Sequence, residues 1–82
     1  CLDYNIVVDK FFSLDDGKYF VQFYVLDKNN KTILLNCWIN NESLGKEYVF
    51  RKTISLGDRK VEIKCKKDNL LIKKIFYVEK DY

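Results

Sequence analysis

Residues 60–66 alternate without exception, with Val61, Ile63 and Cys65 falling to one side and Lys60, Glu62, Lys64 and Lys66 to the other. A period of two lets an extended chain bury one face and wet the other, whereas a helix would need apolar residues every third or fourth position. The same period recurs along the chain. In residues 19–26 the odd set is Tyr19, Val21, Phe23 and Val25; in residues 32–39 it is Ile33, Leu35, Cys37 and Ile39. In residues 48–56 the even set Tyr48, Phe50, Ile54 and Leu56 goes inward, with Lys52 as a misfit. Residues 70–79 put Leu70, Ile72, Phe76 and Val78 on one side, interrupted by Lys73-Lys74 as a bulge or an edge strand would be. An opening strand over residues 4–12 offers Tyr4, Ile6 and Val8. No helical stripe of useful length competes.

Polar clusters punctuate these runs: residues 15–17, 28–31, 40–45, 55–58 and 67–69, the first, third and fourth of them holding the chain's three glycines. Short strands rich in Val, Ile, Tyr and Phe between such breaks describe an all-β, antiparallel domain of six to seven strands, a sandwich or a barrel. With 82 residues and no linker or repeat, residues 1–82 read as one domain.

Loop lengths set the expected register. A three-residue loop of Lys28, Asn29 and Asn30, with Asn30 left-handed, pairs Val25 with Ile33, Phe23 with Leu35 and Val21 with Cys37. Asp68-Asn69 as a two-residue turn sets Cys65 against Ile72 and Val61 against Phe76. The first of these hairpins has a consequence for function. It places Phe20 opposite Trp38 and Tyr24 opposite Leu34, away from the core, as one apolar patch that would bind a protein partner or a neighbouring domain. The bland reading of the same stripe is a central hairpin covered by the domain's own loops.

Charge is unevenly distributed. The net charge is +3, yet residues 59–74 alone carry +5. A lysine-studded strand pair that resists edge-to-edge association accounts for this, and an anion-facing patch is the sharper alternative. Nucleic acid is not the expected partner at so modest a net charge.

The three cysteines, Cys1, Cys37 and Cys65, lack the spacing of a zinc site. Cys37 and Cys65 lie on the inward side of their strands, either bridged or as two inert thiols. Cys1 fits either a lipid-modified terminus or the boundary of an excised domain. Asn30-Lys31-Thr32 and Asn41-Glu42-Ser43 are glycosylation sequons in expected turns. With the cysteines they tilt the compartment toward the outside of the cell.

Catalytic residues are hard to find. Histidine is absent, the serines have no base partner, no carboxylate pair can be defended, and no glycine-rich phosphate loop exists. No metal site, cofactor or enzymatic activity is expected, and no run is apolar enough for a transmembrane segment.

From Tyr19 onward the order of elements resembles the immunoglobulin-like sandwich modules of prokaryotic surface and secreted proteins, of the cell-adhesion-related or fibronectin-like type. The segments that carry the resemblance are Phe23-Tyr24-Val25-Leu26-Asp27, Lys46-Glu47-Tyr48-Val49-Phe50 and Leu56-Gly57-Asp58-Arg59-Lys60-Val61-Glu62-Ile63, with a closing strand after Asp68-Asn69. The resemblance implies a two-sheet immunoglobulin-like sandwich acting as a non-catalytic extracellular or cell-surface module for protein-protein contact, adhesion or spacing. The alternative is a structural subunit of an extracellular filament that polymerises by strand addition. Cys37 and Trp38 are adjacent, which departs from the Cys-Trp-Cys order of antibody domains.

Overall fold

The computed structural model describes residues 4–55 and 59–78. Seven strands are present among the described residues: β1 (Asn5–Ser13), β2 (Lys18–Leu26), β3 (Leu35–Ile39), β4 (Glu42–Glu47), β5 (Val49–Ser55), β6 (Lys60–Lys67) and β7 (Leu70–Tyr77). They form two antiparallel sheets, in the orders β1-β2-β5 and β4-β3-β6-β7. The only helical turn among the described residues is a short 3-10 segment, Asp15–Gly17, between β1 and β2.

The alternation seen in the sequence is the core. Val21, Phe23 and Val25 of β2 face Leu35, Cys37 and Ile39 of β3 and Val61, Ile63 and Cys65 of β6, all within 1% of complete burial. Phe23 lies directly across from Phe50 of β5, and the two rings stack with centroids 5.0 Å apart. No polar or charged residue is buried among the described residues. The core therefore holds together by apolar burial without unpaired polar groups.

Both expected hairpin turns form. Asn30 is left-handed at φ 62°, and the loop is closed by hydrogen bonds from Asp27 N to Lys31 O and from Asn30 N to Asp27 O. The bridge of Leu26 to Thr32 and the bond from Ile33 N to Val25 O start the expected register. There it stops. Instead of continuing as a hairpin, β2 pairs with β1 and β5, while β3 pairs with β4 and β6. The alternation allows either arrangement, and closing two sheets over one core places β2 across the interior from β3 and β6. The pairings of Phe23 with Leu35 and Val21 with Cys37 are thus corrected. The β6–β7 hairpin has the expected register over its whole length, including Cys65 with Ile72 and Val61 with Phe76.

Other expectations are refined. Residues 40–45 are more than a polar break. Asn40 and Asn41, at φ 48° and 69°, make a two-residue turn with both central residues left-handed, the geometry that suits strand twist. The chain then runs on as the solvent-exposed edge strand β4. Opposite Cys37, β4 carries one extra residue, with Gly45 at φ 79°. Tyr48 sits at the crossover from β4 to β5 and is 54% exposed rather than inward. Lys73-Lys74 marks an edge, not a bulge, since β7 pairs with β6 without interruption at the margin of its sheet. The bulge lies in β1, between Val8 and Lys10. It switches the inward set from Ile6 and Val8 to Phe11, which stacks on Tyr19 and meets Phe76 edge-on. Leu56 and Gly57 lie outside the described residues.

The two sheets leave seams at their margins, and a lysine spans each one. Lys52, the misfit, occupies an inward position on β5 opposite Val21 and ion-pairs with Glu42 on β4. Lys74 occupies an inward position on β7 opposite Ile63 and donates to the carbonyl of Ile6 on β1 at 3.4 Å. Each stem covers apolar core while its ammonium reaches the rim.

Candidate functional site

The outer faces of the two sheets are where side chains meet solvent in an organised way. The expected patch of Phe20, Tyr24, Leu34 and Trp38 does not exist as one surface. Phe20 and Tyr24 project from the outer face of the three-stranded sheet, Trp38 from the outer face of the four-stranded sheet, and exposed Leu34 lies in the crossover between them. The expected patch required β2 and β3 to be neighbours, and their separation into different sheets divides it.

On the three-stranded sheet the outer rows follow from the register. Val7, Tyr24 and Val49 form one row, all half-buried; Phe12, Phe20 and Thr53 form another, with the Phe12 and Phe20 rings 5.2 Å apart. A polar chain runs between them. Gln22 donates through Nε2 to Asp9 at 2.8 Å and accepts from Nε of Arg51 at 3.0 Å. The face is thus two apolar strips divided by a hydrogen-bonded bar across all three strands.

The outer face of the four-stranded sheet is different. Trp38 is flanked by Ser43 on β4 and by Lys64 on β6, and Lys64 in turn faces Lys73 on β7. In the next row Lys46, Asn36, Lys66 and Leu71 follow one another. Glu62 binds the Lys73 ammonium at 3.0 Å. That hydrogen bond, reinforced by Lys64 and Lys60, holds the Glu62 carboxyl below the usual glutamate range. Sequence reasoning identified the basic hairpin and the tryptophan separately and missed that they share a face. A Cys37–Cys65 bridge alone would not have revealed this, since it fits neighbouring strands of one sheet as well as strands facing each other across two sheets.

Cys37 and Cys65 are directly paired across β3 and β6, with Cα atoms 4.0 Å apart, and form a disulfide that is fully buried. The bridge joins two strands of one sheet. Cys1 lies outside the described residues. Asn30 and Asn41 are both exposed, in the β2–β3 loop and the β3–β4 turn. Asn40, beside the second sequon, is held by β6: its backbone N–H donates to Glu62 O at 2.9 Å, and its Oδ1 accepts from Glu62 N at 2.9 Å. At the other pole Asp27 Oδ1 accepts from the N–H groups of Asn29 at 2.8 Å and Lys31 at 3.1 Å. The bonds from Lys31 and Asn29 draw its carboxyl below the usual aspartate range. Among the described residues no three His, Cys, Asp or Glu side chains come together as a metal site would require, and no helix is long and apolar enough to cross a membrane.

No protein-family model matches this chain, and no curated protein or solved structure matches it either.

Proposed function

We propose that the chain is a non-catalytic, immunoglobulin-like sandwich module that works outside the cytosol as a spacer or contact domain between neighbouring protein units. The observation that carries this reading is a two-sheet, all-β core closed around a fully buried cystine, with an apolar row left on one outer face. The strand order, with β1-β2-β5 packed on β4-β3-β6-β7, supports the immunoglobulin-like resemblance. A buried cystine fits an oxidising compartment. For contact, the half-buried row of Val7, Tyr24 and Val49, with Phe20 beyond it, offers apolar area to a neighbouring protein.

The filament reading is the weaker one, because every sheet margin carries a feature that opposes strand addition: the bulge in β1, the inward Lys52 and Lys74, and the polar, glycine-containing β4. Sedimentation velocity over a wide concentration range separates the two. A monomer at all concentrations is expected; concentration-dependent assembly would transfer the chain to the filament reading.

A further inference from the structure

Lys46, Lys64 and Lys66 project from the outer face of the four-stranded sheet, away from the core. Lys64 and Lys73 oppose each other directly across the β6–β7 ladder, an arrangement of like charges that weakens a sheet. Glu62 offsets Lys73 alone at contact distance. Lys64 neighbours the half-buried indole of Trp38 in one row, and Lys46 and Lys66 flank Asn36 in the next; none of the three lysines ion-pairs among the described residues. Along β6, Lys64 and Lys66 are about 7 Å apart, and Lys46 lies two strand spacings, about 10 Å, from Lys66. Cations at such intervals across a sheet face match a polymer with repeated anionic groups better than one compact anion.

We propose that this face binds an acidic polysaccharide, with the sugar ring laid against Trp38 and its carboxylates or sulfates met by Lys46, Lys64 and Lys66. The indole supplies a polarisable, apolar surface for the C–H face of a pyranose, while the ammonium groups supply attraction and orientation. The choice of polysaccharide over nucleic acid rests on the extracellular placement proposed above. It is also favoured by the face carrying a single indole, beside Lys64, since single-stranded nucleic acid is held by successive stacked aromatics.

Binding of heparin, neutral dextran and an oligothymidylate to the intact domain tests this. Heparin should bind at low salt and weaken about 40-fold between 50 and 200 mM salt, as roughly three displaced counterions require. Dextran should not be retained. The Lys64→Gln/Lys66→Gln variant should lose about tenfold in heparin affinity at 50 mM salt, cutting the counterion count from about three to about one. Lys28→Gln/Lys31→Gln, the same charge change at a remote pole, should lose less than about threefold. Equal losses from the two lysine pairs would reduce the effect to net charge and overturn the site, and so would absent heparin binding or tighter binding of the oligothymidylate. Thiol titration of the native protein separates the two layers of inference. An intact cystine without heparin binding removes only this site, whereas free thiols at Cys37 and Cys65 remove the extracellular placement.

Discussion

At the scale of single residues, the polar side chains in turns carry as much of the design as the apolar ones in strands. Asp27 ends β2 by accepting two backbone N–H groups with one carboxylate oxygen, a bond set that favours its ionised form. The carboxyl is held below its usual range in the folded state. Its contribution is therefore complete above the unfolded-state value and is lost as pH falls through the lower folded-state value. Amide resonances of Asn29 and Lys31 should titrate with a midpoint below about 3.9, the ordinary aspartate value. A midpoint at or above that value would show that the carboxylate does not hold the loop. Asn40 acts in the same way on the opposite pole, where one amide side chain ties the β3–β4 turn to β6.

Among the elements, the edge strands explain two residues that break the alternation. Lys52 and Lys74 point inward, yet both lie on strands at a sheet margin, where a long stem can run along the core and still reach solvent. An inward charge at an edge is tolerated by the monomer and obstructs an approaching strand. The Lys52→Ile/Lys74→Val variant should fold at least as stably as the parent, because an exposed ion pair contributes only about 0.2–1 kcal/mol. It should also associate with rising concentration, as light scattering would detect. A variant that remained monomeric would assign the two lysines a purely local role.

For the whole molecule, the buried cystine is the only covalent tie between distant parts of the described chain. It closes a loop of 28 residues between β3 and β6 and carries the sandwich across its longest excursion, through β4 and β5 of both sheets. Chain-entropy reasoning gives about 3.5 kcal/mol for a loop of this size. Cys37→Ala/Cys65→Ala should lower the unfolding free energy by about that amount and the melting temperature by roughly 15–25 °C, as urea and thermal melts would report. Because the sulfurs are fully buried, reductant alone should leave the native protein unchanged and act only once denaturant opens it. Rapid reduction under native conditions would place the bridge at the surface instead. The two outer faces of the molecule divide the proposed roles, with apolar strips on one sheet and lysines and an indole on the other.

The period of two and the turn residues determined six of the seven strands described, most of their inward faces and two of the loops without any reference to long-range contacts. Alternation is a local consequence of burying one side of an extended chain, and left-handed Asn30 or the turn at Asp68-Asn69 is a property of a few adjacent residues. Which strands lie side by side was not local. The sequence from Tyr19 to Ile39 is compatible with a hairpin or with two strands that part after the loop, because both arrangements bury the same side chains in the same directions. Packing two sheets around one core decided between them, placing β2 and β3 on opposite sides of the interior. That decision separated Phe20 from Trp38 and brought Trp38 beside Lys64, because side chains on an outer face become neighbours only through the pairing of their strands.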